Sequence, residues 1–272
     1  MCNPLMKFIN VSESVWICQN SKYYLVNSVC VNLGSELLFV DTGINSTVAR
    51  KFRKKMHKVF NQEKAILTFT HANNDHFLGL EAFLDIPIIV TDKFMKPFKK
   101  RIKSRKLESL RTFEPTETYS SCRVFGSEEN PLTFTLTGGH TEDSCFGYFH
   151  AEKILIAGDN LLSDLPQYFF HPDSKLEKYI ECLKKWKKME IETVIPGHGN
   201  LTTPSHLERV LVYFESLYEF LVQVKKSNLQ FNEIINHPNL PEYFEQDPEN
   251  WIRRGIKQVY KKMDEIKEIL PE

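Results

Sequence analysis

Five apolar, strand-like runs in this chain each stop on a short polar group. They are Asp41 after "ELLFV", "HANNDH" (His71 to His76) after "AILTFT", Gly138-Gly139-His140 after "TFTLT", Gly158-Asp159 after "KILIA", and Pro196-Gly197-His198-Gly199 after "TVI". Rigid strands that each deliver a polar residue to an adjoining loop are how a fold gathers distant sequence into one site. Any one of these histidines alone reads as an incidental surface residue. Together with the aspartates, at strand ends and mostly flanked by glycine, they read as a single constellation. Neutral imidazole and carboxylate suit a borderline divalent cation such as Zn2+, Fe2+ or Mn2+, and a shared carboxylate can hold two such ions. Water on such a cation becomes a nucleophile near neutral pH, so hydrolysis follows from the pattern.

The rest of the chain supplies the scaffold. Strands are expected at "VWIC" from Val15, "YYLVNSVCVNL" from Tyr23 and "ELLFVDTG" ending at Gly43, and a helix over Asn45 to Phe60 from the spacing of Val48, Phe52, Met56, Val59 and Phe60. In "HANNDH", Asn73-Asn74-Asp75 is also good helix-start chemistry before "FLGLEAFL". The basic run from Lys93 to Arg111 is interleaved with Phe94, Met95, Phe98 and Ile102 at helical spacing. Its cations, Arg101 among them, therefore read as the solvated face of a helix rather than a nucleic-acid site. Ser174 with Glu177 and Ser205 with Glu208 read as capping boxes. Asp247-Pro248 opens a last helix carrying Ile252, Ile256, Val259, Met263 and Ile266 on one face.

Composition narrows the partners. With 35 basic and 35 acidic residues in 272, the formal charge is zero, and no global field draws the chain toward nucleic acid or an anionic membrane. The six cysteines form no C-x-x-C pair and read as buried free thiols. No stretch approaches the roughly 18 apolar residues of a membrane span, the N-terminus lacks the order of a signal peptide, and a reducing cytoplasm is the expected location.

In their order, Asp41, His71, Asp75, His76, His140, Asp159 and His198 resemble the metallo-β-lactamase superfamily, whose members carry an H-x-H-x-D-H loop, then G-H-T, G-D and P-G-H-G. The likeness covers roughly residues 14 to 203. It implies a four-layer αββα sandwich with metals at one edge, here residues 1–203, and a helical C-terminal extension, residues 204–272, packed on it. It also implies that His71 and His140 bind one metal, that Asp75, His76 and His198 bind the second, and that Asp159 bridges them. Asp41 would support the site, and Asp75 would act in catalysis. Asn73 stands where the family's loop has its second histidine, and an amide oxygen is a weaker ligand for zinc than imidazole. One ion or two is therefore left open.

Glu142 and Asp143, which follow His140-Thr141, read as a solvated loop; His171 in "QYFFHPD" borders the expected mouth of the site and reads as a substrate contact. His57, His150, His206 and His237 match no motif and read as surface or helix-cap residues, while Cys145 reads as a core thiol. The resemblance points to hydrolysis of a small-molecule carbonyl ester, thioester or amide, with a thioesterase of the glyoxalase II type ahead of a lactonase or β-lactamase. The alternatives are a phosphodiesterase, or a non-catalytic mononuclear metal-binding protein of the same fold. The apolar stripes of the C-terminal helices suit either a cover for the sandwich or a homodimer surface.

Overall fold

A computed structural model describes residues 5–21, 24–227 and 229–263. The expected residues Cys2, Tyr23 and Ile266 lie outside the described residues. The strands are β1 (Leu5–Asn10), β2 (Val15–Ser21), β3 (Leu25–Asn32), β4 (Leu37–Val40), β5 (Ala65–Thr68), β6 (Ile89–Thr91), β7 (Glu117–Tyr119), β8 (Cys122–Phe125), β9 (Leu132–Leu136), β10 (Cys145–Phe149), β11 (Ile154–Leu162) and β12 (Thr193–His198). The helices are α1 (Ser46–Phe60), α2 (Asn74–Phe77), α3 (Met95–Arg105), α4 (Leu176–Lys187), α5 (Pro204–Lys226), α6 (Phe231–Ile235) and α7 (Trp251–Lys262).

Ten strands form one hydrogen-bonded sheet: eight follow the path β1-β2-β3-β12-β11-β10-β9-β8, and β4 and β5 branch from it, β4 beside β3 and β5 beside β4. The path turns back on itself where β3 meets β12, at the pair Val26 and His198. Alternation along the strands shows why. Val29, Val31, Leu38 and Val40 from one half meet Ile154, Ile156 and Ile195 from the other in a single buried cluster between the halves. Their neighbours Cys30, Leu37 and Phe39 turn outward onto Phe52 and Met56 of α1 and Phe98 and Ile102 of α3. On the far side Leu155, Ala157 and Val194 turn onto Leu183 and Trp186 of α4, Leu217 of α5 and Ile256 of α7. Strands apolar on both faces must be covered on both, and the outcome is the expected αββα sandwich.

Several local expectations change. Asn45 caps α1 as its sequence suggests, accepting from Val48 N at 2.9 Å. Neither capping box forms. Ser174 Oγ donates instead to the carbonyl of His140 at 2.7 Å, and α4 begins at Leu176. Pro204 is the first residue of α5, where its fixed φ and missing N–H suit the helix start, so Ser205 lies inside the helix rather than capping it. Asp247 caps α7 from upstream, its carboxylate accepting from Trp251 N at 2.6 Å and Ile252 N at 2.8 Å. His206 is buried, not at the surface, because its Nε2 lies 2.7 Å from the carbonyl of Leu162. Cys122 is exposed, whereas Cys18, Cys30, Cys145 and Cys182 are buried as expected. Among the described residues no helix is long and apolar enough to cross a membrane.

Helix α7 is seated on Phe169 through Gly255, where an added Cβ would stand 2.3 Å from the ring. Helix propensity alone favours alanine over glycine by about 1 kcal/mol. The packed ring reverses that sign, so Gly255→Ala is expected to lower the melting temperature. An unchanged or raised value would mean that α7 does not rest on Phe169.

Candidate metal centre

Each motif arrives at one edge of the sandwich on the end of its strand. Asp41, just past β4, adopts φ 60°, a left-handed conformation that Asp tolerates better than most residues. There its carboxylate accepts from Thr70 N at 2.8 Å, from Thr70 Oγ1 at 2.7 Å and from His76 Nδ1 at 2.8 Å. Since the Thr70 hydroxyl donates to Asp41, it accepts from His71 Nδ1, 3.0 Å away. His140 Nδ1 donates to the carbonyl of Tyr168 at 3.0 Å. In all three rings Nδ1 is committed to the protein and Nε2 is turned inward, the arrangement that metal-binding imidazoles need.

The inward atoms converge on Asp159, which is 6% exposed. Its Oδ2 lies 3.5 Å from His71 Nε2, 3.6 Å from His140 Nε2 and 3.5 Å from His198 Nε2, and its Oδ1 lies 3.2 Å from His76 Nε2. Asp75 Oδ2 is 3.3 Å from His198 Nε2. Two groups result, His71-His140-Asp159 and Asp75-His76-His198, and within each the candidate ligand atoms lie within 4.8 Å of one another. His71 Nε2, His76 Nε2 and Asp159 Oδ1 are buried without a hydrogen-bond partner. Buried polar atoms are rarely left so, and a cation in each group would satisfy them; imidazole with carboxylate is the donor set for zinc or a similar ion. Close approach of the chain makes the space: a Cβ on Gly197 would stand 2.0 Å from Asp159 Oδ1.

Charge is finely divided at this edge. Burial disfavours ionised Asp159, yet His76, His198 and His71 hold its carboxyl well below the usual range. Burial likewise opposes charge on His76 and His198, but Asp159 with Asp41 raises His76 well above the ordinary imidazole value, and Asp159 with Asp75 raises His198 to about 9. Partial loss of solvent opposes ionisation of Asp75, yet His198 and His76 hold its carboxyl low. Burial takes His140 the other way, down to about 3, and burial with Arg101 takes His171 down to about 4.

The structure brings together all six expected ligands, His71, Asp75, His76, His140, Asp159 and His198, with Asp41 behind them. Asn73 is beside them, but Arg101 donates to its Oδ1, and its Nδ2 faces His140 Nε2 at 2.8 Å. Its oxygen does not face the ligand cluster. A cavity of about 210 Å3 opens onto the centre, lined by Tyr24, Asn73, Asp75, His140, Asp159, Leu162, Tyr168, His198 and Trp251. His171 is not among those lining residues; its Nε2 is 3.2 Å from Arg101 Nη2.

Two side chains read as solvated are not. Asp143, 1% exposed, accepts from Ala72 N at 2.7 Å and so fixes the loop that carries His71; Glu142 alone is solvated. Arg101 leaves the solvent face of α3 for Asn73. The available signal was its position three residues after Phe98 and seven after Phe94, on the buried side of the helix. Trp251, from the C-terminal helices, also went unforeseen in the cavity wall.

The shifted histidines set a pH optimum for the metal-free protein. His198 titrates near 9 when folded and near 6.5 when unfolded, so its ion pairs stabilise fully below 6.5 and are lost as pH rises through 9. His140 is neutral when folded down to about 3, so stability also falls as pH drops below 6.5, where the unfolded chain takes up that proton. Chelator-treated protein is expected to melt highest near pH 6.5. Zn2+ must displace protons from His76 and His198, so its thermal stabilisation should be larger at pH 8.5 than at 6.5; equal shifts at both would refute the proton competition.

The sequence profile of the metallo-β-lactamase superfamily matches residues 23–198. Among solved structures, a metallo-β-lactamase from Pontibacter korlensis shares 18% identity, with 78% of this chain and 99% of that one covered at a TM-score of 0.66. TMB-1, from a structural study of substrate and inhibitor binding, shares 17% identity, with 83% and 100% covered at 0.63. A metallo-β-lactamase from Hirschia baltica shares 18%, with 76% and 96% covered at 0.59. Identities this low speak for the fold alone. No curated protein sequence matches the chain. The matched span holds every aspartate and histidine of the centre, from Asp41 to His198, and the chain belongs to the metallo-β-lactamase superfamily.

Proposed function

We propose that this chain is a metal-dependent hydrolase acting on the carbonyl of a small-molecule thioester, ester or lactone. The observation that carries the reading is the pair of His/Asp groups at one cavity, with buried nitrogen and oxygen atoms that make no hydrogen bond within the protein. His71, His140 and Asp159 would hold one divalent ion, zinc by the chemistry of the donors, and Asp75, His76 and His198 another. Such a cation supplies activation of water and polarisation of a carbonyl.

The chain's own residues do the positioning. Tyr24, Leu162, Tyr168 and Trp251 give the substrate an apolar wall and keep bulk water out, while the polar edge is left to the scissile bond. Asp41, through His76 Nδ1, and the Tyr168 carbonyl, through His140 Nδ1, keep those rings aimed. Asp75 lines the cavity with its side chain 41% exposed, where its carboxylate can orient an attacking water, take its proton and pass it to the leaving group. Among the described residues no lysine or arginine lines the cavity to neutralise a phosphodiester. A neutral scissile carbonyl suits it better, and a thioester of the glyoxalase II type comes first.

Metal-loaded protein is expected to turn over thioesters ahead of lactones, β-lactams and phosphodiesters, and to lose that activity on chelation. Asp75→Ala with metal still bound should lower kcat by about 10²- to 10⁴-fold. Undiminished turnover in that variant would remove Asp75 from the mechanism, and no turnover with any added divalent metal would end the hydrolase reading.

A further inference from the structure

Asn73 stands where a third imidazole would complete the His71-His140-Asp159 group, and its neighbours decide what it does there. Arg101 is a permanent donor and takes the amide oxygen. The amide is thereby fixed with its NH2 toward His140 Nε2, 2.8 Å away. His140 Nδ1 donates to the Tyr168 carbonyl, so Nε2 is the bare lone pair of a neutral ring and accepts from Asn73. That same lone pair is what His140 would offer a cation shared with His71 and Asp159. It can serve one partner at a time.

Among the described residues no amide bonds the inward nitrogens of the other group, where a cation displaces protons alone. His198 Nε2 faces Asp75 and Asp159, and His76 Nε2 faces Asp159. Asp159 serves both groups, but Asp75 adds a second carboxylate to this one, whereas a half-buried guanidinium borders the first group through Asn73 and through His171, 3.2 Å from Arg101 Nη2.

We propose that Arg101 and Asn73 form a latch that makes the two metal positions unequal. Asp75-His76-His198 takes a divalent cation first and tightly. His71-His140-Asp159 takes one weakly, when Asn73 releases His140, and Arg101 sets the size of the difference. Arg101 is a positioning residue that acts through the amide. The inference rests on the metal-binding reading above, and it goes further in ranking the positions and naming the side chain that ranks them.

The test is metal binding by the full chain, stripped with chelator, titrated with Zn2+ in a calorimeter and with Co2+ by visible absorption. Two steps separated on the order of 100-fold are expected. His140→Ala should remove the weak step and spare the tight one, and His198→Ala should do the reverse. Arg101→Met frees the amide to turn its oxygen inward and should narrow the gap about tenfold by strengthening the weak step alone. Arg101→Gln serves as a second variant should the first melt at a lower temperature. Asn73→His should bring the steps together. Equal steps in the unaltered protein, to within about threefold, a reversed assignment of the steps, or a gap unchanged in both Arg101 variants would overturn the latch. Failure to bind either ion at all would instead overturn the functional reading beneath it, and the latch with it.

Discussion

A buried carboxylate ringed by four imidazoles is the constraint on which the rest of this structure turns. Asp159 has almost no access to water, and a carboxylate so placed is costly unless positive or hydrogen-bonding groups surround it. The groups that do so come from far apart: His71 and His76 follow β5, His140 follows β9, and His198 ends β12. They reach within 3.6 Å of one residue only if the two halves of the sandwich are held in register. His198 itself lies at the seam, paired with Val26 on β3. A slip of one residue there would send its side chain to the opposite face. Closing the sandwich and assembling the centre are therefore one requirement.

Behind the imidazoles lies a layer of fixed acceptors that gives the centre its direction. Asp41 serves two histidines at once, His76 directly and His71 through the Thr70 hydroxyl. The Tyr168 carbonyl accepts from both His140 Nδ1 and Tyr179 Oη, while Asn160 Oδ1 accepts from His140 N at 2.8 Å. Asp143 and Ser174, which do no chemistry in the proposed reaction, hold the backbones of Ala72 and His140. These partners decide which nitrogen of His71, His76 and His140 faces inward, and so which atoms those rings present to a cation.

The ligands were legible in sequence because each is adjacent to its own strand and flanked by residues that make a tight turn, so short motifs carry them. The sandwich was legible from runs such as "ELLFV" and "KILIA", apolar on both faces. What sequence did not reveal is held in place by tertiary contact. The Ser174 hydroxyl has a capping-box partner three residues on, yet a carbonyl brought in by another loop takes it. Asp143 looks like any acidic loop residue until Ala72 N is placed beside it. Arg101 sits among cations that do face solvent, and periodicity within α3 distinguishes it only by the stripe it borders.

Asn73 shows why such failures collect at the centre. Asparagine is among the best N-cap residues because its side chain can take up an unpaired N–H of the first turn. Asn73 does occupy the N-cap of α2, and its carbonyl accepts from His76 N at 3.0 Å and Phe77 N at 3.3 Å. Its side chain makes no cap bond. The helix start thus forgoes a contribution worth about 1 kcal/mol, and the amide is committed instead to Arg101 and His140. A local rule obeyed in position and broken in side chain points to a competing demand on that side chain. Here the demand comes from a ring nitrogen that would otherwise be free to bind a metal.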